Sequence, residues 1–375
     1  MSEKKRKKDI DLTILLPVIF LVLIGIMMIF SSSSVQSLAV FGDEMAFLKK
    51  QAMFSLLGFA VLIVASHIDS RVYYRLAVPI MVLNWALLLL TKFSPLSVTS
   101  HDVTRWIDIG FRFQTSEFTK FANIVGLAYI ISRNRERMRR LDVLLFALFI
   151  CGTSVFLVLI QPSFSAALSI AVVGVSMLFM GGISIFHTIG LFALGVAGSL
   201  ILVIIRPYRL KRLASFLDPF HDPSGASWQI SNSIFAIASG GLNGVGYGKS
   251  IQKYFYISEP QNDFIFAAIA EELGFFKSTA ILMIYIYLIY RIFVLFEETK
   301  SLFSQMLVCG IGTQIGLQTF MNVAVTTSMV PTTGIGLPFI SYGGTSILMF
   351  LFMIGVLLSI SRDRAKAPVR KRAVR

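Results

Sequence analysis

The chain has 375 residues, of which 55% are hydrophobic and 14% charged, and its mean hydropathy is +0.77. A soluble domain has about 45–50% apolar and about 25% charged residues, so this composition excludes an ordinary soluble protein. The net charge of +14 is concentrated at the two ends and in the segment SRNRERMRR at 132–140. Basic clusters beside apolar spans are typical of cytoplasmic loops that contact anionic lipids, and this distribution argues against a nucleic-acid partner.

Long apolar stretches predict an all-α polytopic membrane protein, because about 18 or more such residues cross a hydrocarbon core about 30 Å thick. We expect ten transmembrane helices at 13–34, 50–68, 74–92, 116–133, 142–160, 164–182, 185–205, 264–293, 303–328 and 344–361. The first apolar run is too long for a signal peptide and is interpreted as an uncleaved span. A single ten-helix domain at 13–362 then lies between basic tails at 1–12 and 363–375.

The topology follows from the charges. An even number of spans puts both basic termini on one side, and the cluster at 132–140 falls on that same side. The positive-inside rule therefore predicts cytoplasmic termini. The extracytoplasmic segments are then 35–49, 93–115, 161–163, 206–263 and 329–343, and the large loop at 206–263 is the longest of them.

The segment TRWIDIGFRFQTSEFTKFA at 104–122 places two opposite charges, Glu117 and Lys120, at the start of the fourth span. Residues three apart share a helix face and can pair. The pair is either a structural contact that settles helix packing or the mark of a substrate site in a membrane cavity. Both interpretations stay open.

The large loop begins with RPYRLKRLASFLDPFHDPSG, which carries Arg209 and Arg212 on the side where few cations are expected. Long loops escape the positive-inside rule. The alternative is a row of cations that holds an anionic ligand such as a lipid phosphate.

Farther on, GGLNGVGYGKS at 240–250 is not a nucleotide-binding P-loop, because residue 243 is Asn where that motif needs Gly. It is interpreted as a flexible segment whose backbone approaches a ligand or the membrane surface.

The segment SEPQNDFIFAAIAEELGFF at 258–276 carries four carboxylates beside and inside an apolar run. Asp263 could cap the following helix, since Asp is a preferred N-cap residue. It could also be a general base at the membrane–water boundary, where partial desolvation raises a carboxyl pKa. Glu271 and Glu272 lie about two turns deeper, and we expect them to pair inside the bundle.

The segment VPTTGIGLPFISYGGTS at 330–346 is rich in Pro, Gly and hydroxyl groups at membrane depth. Irregular backbone is tolerated there only when it is buried in protein or lines a cavity. A re-entrant loop that shapes a site is therefore favoured over a simple connector.

The two cysteines and four histidines are scattered, so no protein-held metal site is expected.

Several segments occur in the order of a known family: TRWIDIG, SEFTKFA, PYRLKRLASFLDP, SGGLNGVGYGKSIQK, EPQNDFIFAAIAEELG and PTTGIGLPFISYGGTS. They span about 104–346 and resemble the SEDS family (shape, elongation, division and sporulation), which includes FtsW, RodA and SpoVE proteins. The GVGYGKSIQK segment is closer to the FtsW and sporulation-type pattern than to RodA. The chain departs from the family pattern at Ser163, where an aspartate is usual, at Thr115, and in EPQNDF.

The resemblance implies a peptidoglycan glycosyltransferase of the bacterial inner membrane. Such an enzyme polymerises lipid II, a disaccharide-pentapeptide on undecaprenyl pyrophosphate, for septal or elongation wall synthesis. The resemblance makes Asp263 the catalytic residue. It also implies a class B penicillin-binding protein transpeptidase as partner, together with other division or elongation proteins.

The mechanism needs few protein groups. One displacement converts the α-linked pyrophosphate into a β-1,4 bond, so a general base and cations for the leaving group suffice. A divalent cation, Mg or Mn, could supplement those cations. We expect substrate contacts from the following residues: Arg105, Glu117, Lys120, Arg209, Arg212, Lys253, Glu259, Ser341 and Tyr342.

Two other functions would use the same fold. A lipid II flippase would place its essential charges near the bilayer midplane, in a cavity that opens to both sides. A scaffold that only recruits a transpeptidase would tolerate Asp263→Asn without loss of wall synthesis. A polymerase would cluster its charges at the outer leaflet, as the predicted topology does.

Overall fold

The computed structural model describes residues 10–95, 97–100, 103–108, 110–205, 207–220, 222, 225, 227–254, 256–257 and 259–364. The side chains of residues 99, 100, 103, 104, 207–209, 211 and 364 lie outside this description. The helices are α1 Leu12–Phe41, α2 Ala46–Ala65, α3 Ser70–Arg75, α4 Ala77–Phe93, α5 Thr115–Arg133, α6 Leu141–Ile160, α7 Phe164–Met180, α8 Ile185–Ile204, α9 Pro207–Leu217, α10 Trp228–Gly240, α11 Ile265–Glu298, α12 Leu302–Thr326 and α13 Gly344–Arg364.

This is a multi-pass helical membrane protein. The ten predicted spans correspond to α1, α2, α4, α5, α6, α7, α8, α11, α12 and α13. Within the described residues, six of these helices are long and apolar enough to cross a membrane by themselves, and α4 and α7 are shorter apolar helices. The remaining two, α5 and α12, carry polar side chains that face other helices rather than lipid.

Helix α5 lies at the centre of the bundle. Almost all of its residues from Thr115 to Ile131 are buried, and it packs against α4, α6, α7 and α12. Helix α8 is the opposite case, because it has no buried residue and packs mainly on α7 and α9. A helix that is apolar on every side and contacts little protein is suited to a lipid environment.

The segment between α4 and α5 is a small antiparallel sheet rather than an irregular loop. Its strands β1 Ser97–Ser100, β2 Val103–Asp108 and β3 Arg112–Gln114 are joined in the order β1-β2-β3. Trp106 faces Val98 on one side and Gln114 on the other. The sheet contacts α4, α5 and α13, and so covers one end of the bundle.

The predicted loop at 206–263 contains a segment that enters the bundle, which the sequence did not predict. Helix α10 packs along the outer half of α11, and its last residue, Gly240, lies against the carbonyl of Ala270. The chain then contacts α11 at Gly274, which lies about 13 Å along the helix from Ile265 at a rise of about 1.5 Å per residue. Residues 228–257 are called the first re-entrant segment below.

The first re-entrant segment interrupts the hydrogen bonds of α11. Gly274 has φ +78° and ψ 179°, so the α-helical ladder is broken there. Backbone groups of 241–246 replace the lost partners through four bonds of 2.9–3.3 Å: Phe275 N to Gly241 O, Phe276 N to Leu242 O, Val245 N to Glu271 O and Gly246 N to Glu272 O. The break therefore leaves these backbone groups satisfied, as a membrane interior requires.

The predicted re-entrant loop at 330–346 is confirmed as a segment that enters the bundle. Phe339 and Ile340 are only 2% and 0% exposed. The backbone of Ile340 lies against Gly25 of α1, and the Tyr285 hydroxyl donates to the carbonyl of Pro338. Residues 331–343 are called the second re-entrant segment.

Candidate functional site

Asp263 ends the connection that returns from the first re-entrant segment, directly before α11. The N-cap position of α11 belongs to Phe264, and no side chain caps this helix. The Asp263 carboxylate has no hydrogen bond or ion pair to any described residue, and it is half-buried. The capping interpretation is therefore wrong, and an unpaired carboxylate remains at one end of the bundle.

The backbone around Asp263 is held by side chains from two other elements. The Asn322 amide of α12 donates to the carbonyl of Asp263 at 2.8 Å and to that of Ile335 at 2.9 Å. The Ser341 hydroxyl donates to the carbonyl of Asn262 at 2.7 Å. These bonds fix the position of the carboxylate relative to the second re-entrant segment, although the carboxylate itself takes no part in them.

The Asp263 carboxyl group titrates close to neutral pH. Burial raises its pKa from 3.8 to about 6, and the negative charge of Glu259 adds to the rise. The positive charges of Arg212 and Arg105 lower the pKa in part. At pH 7 about nine tenths of the carboxyl groups are ionised, so the group is suited to accept a proton.

Two predicted cations contact the segments that surround Asp263. The Arg105 guanidinium on β2 donates to the carbonyl of Pro162 at 2.6 Å. The Arg212 guanidinium on α9 donates to the carbonyl of Thr332 at 3.1 Å. Next to Thr332, the carbonyl of Thr333 accepts from Ser165, and a Cβ at Gly334 would lie 3.4 Å from Asp263 Oδ2.

The predicted residue Arg209 lies on α9, and its side chain is outside the described residues. Glu259 is exposed, and its carboxylate accepts from the Asn262 amide at 2.7 Å. Tyr342 donates its backbone N–H to the carbonyl of Gln261 at 2.9 Å, while its ring packs on Phe47. Glu259, Ser341 and Tyr342 thus lie within the connection around Asp263 or are bonded to it.

Glu117 and Lys120 form a buried ion pair. Lys120 Nζ lies 2.6 Å from Glu117 Oε1, with side-chain exposures of 4% and 8%. Lys120 also contacts Gln318 of α12 at 3.5 Å. Gln318 is one helical turn from Asn322, so the pair lies about 6 Å deeper in the bundle than the bonds that hold Asp263.

Lys253 lies in the first re-entrant segment and is committed to other partners. Its Nζ donates to the carbonyl of Gly248 at 2.5 Å and lies 3.8 Å from Glu272 Oε1. Glu272 also accepts from Ser31 of α1.

Glu271 accepts from the Ser250 hydroxyl and from the Ile251 N–H. The two glutamates are satisfied inside the bundle, as predicted.

Sequence reasoning missed the polar face of α12. Gln314, Gln318 and Asn322 recur every four residues along this helix. The Gln314 amide donates to Gln318, and the Asn322 amide donates to the carbonyl of Asp263. Gln314 also bonds the Ser169 hydroxyl of α7, and Gln318 accepts from Lys120. The spacing i, i+4, i+8 was visible in the sequence as a polar stripe in a membrane helix and could have indicated an interior face.

No group of three or more His, Cys, Asp or Glu side chains that could hold a metal occurs among the described residues. Glu259 and Asp263 are the carboxylates that interact here. A magnesium ion is usually held by one or two carboxylates together with substrate phosphates. The two carboxylates therefore fit only a cation that arrives with its substrate.

The fold and the site define a polytopic helical membrane protein with an unpaired acid and two cations at one end of the bundle. The family model of FtsW/RodA/SpoVE cell cycle proteins matches residues 11–366. The chain belongs to this family.

Similar proteins agree with this assignment over nearly the whole chain. A probable peptidoglycan glycosyltransferase FtsW of Trichlorobacter lovleyi is 37% identical, with 97% of this chain and 96% of that protein covered. One of Geobacter sp. (strain M18) is 35% identical, with 95% and 98% covered. The stage V sporulation protein E of Bacillus subtilis is 35% identical, with 96% and 99% covered.

Solved structures share the fold. A chain from a peptidoglycan synthase complex that coordinates polymerization and crosslinking has a TM-score of 0.79 at 24% identity, with 96% of this chain and 99% of that chain covered. The rod shape determining protein RodA of Thermus thermophilus has a TM-score of 0.71 at 24% identity, with 95% and 97% covered. The arrangement of ten spanning helices is thus that of solved members of this class.

Proposed function

We propose that this protein is a peptidoglycan glycosyltransferase that polymerises lipid II, with Asp263 as the general base. The observation that carries the proposal is the half-buried Asp263 carboxylate, which has no partner among the described residues and a pKa of about 6. The family membership and the names of the relatives support the same class of reaction. Septal or elongation wall synthesis is the setting that fits such an enzyme.

The reaction is a single displacement at the anomeric carbon of the donor sugar. The acceptor 4-hydroxyl forms the new C–O bond while the bond to pyrophosphate breaks, and the hydroxyl proton passes to the Asp263 carboxylate. One displacement converts the α linkage into a β linkage and releases undecaprenyl pyrophosphate. No enzyme nucleophile is needed, in contrast to a retaining glycosidase.

The leaving group needs charge neutralisation more than a proton. Arg105 and Arg212 act electrostatically on Asp263, so they are close enough to the carboxylate to bind a pyrophosphate beside it. Arg209 lies one turn from Arg212 on α9 and is a third candidate. Preorganised cations of this kind stabilise the charge that develops on a leaving group. A divalent cation carried by the substrate would add to the same effect.

Lys120 and Lys253 contribute less directly in this proposal. Each is buried and already bonded, Lys120 to Glu117 and Lys253 to Gly248. A buried ion pair that loses one member leaves an uncompensated charge, so these contacts favour a structural role. Substrate binding by either lysine stays a prediction that a variant can test.

The location and partner follow from charge and from a structural relative. The basic termini and the basic segment 132–140 support cytoplasmic ends in a bacterial inner membrane, with Asp263 on the opposite side. The relative from a peptidoglycan synthase complex supports a partner that crosslinks strands, for which a class B penicillin-binding protein is the expected type.

A flippase is the second candidate, and the positions of the charges bear on it. The charges at membrane depth, Lys253 with Glu272 and Lys120 with Glu117, are paired with each other. The acid without a partner is at the end of the bundle. This distribution favours chemistry at one surface over transport through the midplane.

The test is a polymerisation assay on purified protein with labelled lipid II, with and without the transpeptidase partner and a chelator. General-base catalysis is worth about 10²–10⁴-fold, so Asp263→Asn should lose about that much activity. Glu44→Gln is the matched control, because Glu44 is an exposed acid elsewhere on the same face. Asp263→Asn should remain folded, because it removes a charge from a partly desolvated position.

Two outcomes would contradict the proposal. The base assignment is wrong if folded Asp263→Asn protein extends lipid II at the wild-type rate. The enzyme assignment is wrong if the wild type forms no glycan with its partner present but moves fluorescent lipid II across a vesicle membrane.

A further inference from the structure

A cavity lies at the opposite end of the bundle from Asp263, and the proposed function makes no use of it. It has a volume of about 410 Å³, within the range of small-molecule sites. Six of its lining residues carry polar groups: Ser70, Arg71, Tyr74, Arg75, Ser132 and Ser301. They come from α3, from the end of α5 and from the residue before α12. We call it the basic-end cavity.

The two arginines of the basic-end cavity have no anionic partner among the described residues. Arg71 and Arg75 are four residues apart on α3 and therefore share one face. Both are exposed, and no hydrogen bond or ion pair of either guanidinium occurs within the described part of the chain. The adjacent acid, Asp69, accepts the Arg71 backbone N–H at 2.8 Å instead.

The start of α12 adds further donors to the same cavity. Leu302 and Phe303, the first residues of this 25-residue helix, belong to the cavity lining. Ser301 is the N-cap residue, and its hydroxyl makes no capping bond. The N–H groups of Leu302 and Phe303 have no acceptor among the described residues. Helix N-termini carry a partial positive charge and favour anions, so these donors reinforce the arginines.

The donors of the cavity thus match a phosphate group. Arginine guanidinium groups bind phosphate oxygens through two parallel hydrogen bonds, and hydroxyl and backbone N–H groups supply single ones. An anion held by two arginines and a helix N-terminus needs no protein carboxylate.

The surroundings of the cavity favour a lipid over a soluble ligand. Tyr74 packs on Tyr129 and Phe303 with ring centroids 5.0 and 5.2 Å apart, and its side chain remains 38% exposed. Val72 and Leu76, beside the arginines in sequence, are 40% and 46% exposed. Tyrosines and exposed apolar side chains next to arginines are typical of the headgroup level of a bilayer. An acyl chain could therefore lie against apolar protein surface while its phosphate enters the cavity.

We infer that the basic-end cavity binds the phosphate of an anionic phospholipid from the leaflet opposite to the Asp263 side. The site is separate from the glycosyltransferase chemistry and does not depend on it. Because both arginines are exposed and neither guanidinium makes a hydrogen bond or ion pair to a described residue, replacing both should weaken lipid binding without unfolding the protein.

The test is native mass spectrometry of the full-length protein in neutral detergent, titrated with phosphatidylglycerol. A basic residue near an anionic lipid contributes about fivefold in affinity, so Arg71→Gln with Arg75→Gln should weaken binding about 30-fold. The matched control is Arg135→Gln with Arg137→Gln, two exposed arginines on the same end that do not line the cavity. The control pair should weaken phosphatidylglycerol binding far less than the cavity pair, because it acts only through general attraction to anionic lipid.

Two further arms decide between the sources of the phosphate. Phosphatidylcholine, which has no net charge, should bind weakly to all forms. If inorganic phosphate displaces phosphatidylglycerol at equal concentration, the ligand is a soluble phosphate and the lipid assignment falls. Equal loss of lipid in both double variants would show general attraction to a basic surface, and no loss in either would exclude the cavity. Polymerisation by the Arg71/Arg75 variant should match wild type in the same detergent.

Discussion

The pH dependence of polymerisation gives the sharpest test of the role of Asp263. A base with a pKa of about 6 must lose its proton before it can act, so kcat/KM should rise with pH and level off near pH 7. About one tenth of the carboxyl groups are ionised at pH 5 and about nine tenths at pH 7. We therefore expect about a tenfold increase in kcat/KM between pH 5 and the plateau.

Two variants should move this profile in opposite directions. Glu259 raises the pKa of Asp263, so Glu259→Gln should shift the profile toward acidic pH. Arg212 lowers that pKa, so Arg212→Gln should shift the profile toward alkaline pH, in addition to any loss of substrate affinity. The Glu44→Gln control should leave the midpoint unchanged, since Glu44 is an exposed acid that has no part in the pKa of Asp263.

The ionisation of Asp263 also changes the free energy of unfolding. Its contribution to stability changes with pH in the opposite direction to the expected activity. The pKa of Asp263 is 3.8 unperturbed and about 6 in the folded state, so folding is disfavoured progressively as pH rises between these values. The full cost above pH 6 is about 3 kcal/mol at most. The stability contributed by this group thus falls while activity rises, so the protonation of Asp263 cannot itself cause unfolding at pH 5.

The assay follows glycan strands from labelled lipid II at subsaturating substrate, with Tm measured at each pH. A wild-type profile that is flat from pH 5 to 8 would refute the assignment of Asp263 as the base. A shift of Glu259→Gln and Arg212→Gln in the same direction would refute the electrostatic reasoning.

Asn322→Ala should lower kcat at least tenfold with a smaller change in KM, because it releases two carbonyls at the site. Each unmade buried hydrogen bond costs about 1–3 kcal/mol. A wild-type kcat would contradict the positioning role. Gly244→Ala should lower Tm far more than Gly248→Ala. Both have positive φ, but a Cβ at Gly244 would lie 2.2 Å from a backbone carbonyl whereas Gly248 has open space; equal losses would refute this reasoning. Glu117→Gln and Lys120→Met should each lower the free energy of unfolding by about 3–5 kcal/mol, and the double variant should lower it by less than the sum of the two. Denaturation monitored by circular dichroism measures this, and additive losses would contradict a coupled buried pair.

Most of the ten spans could be predicted from the sequence because length and apolar content decide them; among the described residues, six helices are long and apolar enough to cross a membrane and two more are shorter apolar helices. The strongest example is α13, where an apolar run predicted at 344–361 is a helix from Gly344 to Arg364. The second re-entrant segment could be predicted as well, because its prolines and glycines exclude a helix and the membrane excludes an exposed loop.

The first re-entrant segment could not be predicted, because each of its sequence features also fits a surface loop. Helix α10 has 13 residues, too few to cross a membrane, and it precedes a glycine-rich stretch that resembles a surface loop. Its depth depends on the break at Gly274, where two chain segments exchange backbone hydrogen bonds. No local pattern records an exchange between residues about 30 positions apart. The strands at 97–114 were missed for a similar reason, since short paired strands carry little periodicity.

The candidate site also combines a residue that local sequence reveals with contacts that only the folded structure shows. Asp263 could be singled out as an acid beside an apolar helix, but its two possible roles could be separated only by its contacts. Asn322 binds the carbonyl beside that carboxylate from 59 positions away. Such a contact has no signature in one sequence beyond the polar stripe of α12.

The difference between bonded and unbonded carboxylates supports Asp263, rather than the deeper glutamates, as the proposed base. Glu271 and Glu272, within the membrane helix, are each bonded to hydroxyl and backbone donors. Asp263 belongs to the same chain segment, yet only its backbone is bonded and its carboxylate is not. Burying a charge without a partner is unfavourable, so a fold that fixes the backbone there holds the acid in place despite its cost. In the proposed function, an acid held in this way is preorganised for a proton that only a bound substrate brings. This favours the unpaired carboxylate, rather than the deeper paired ones, as the candidate catalytic group.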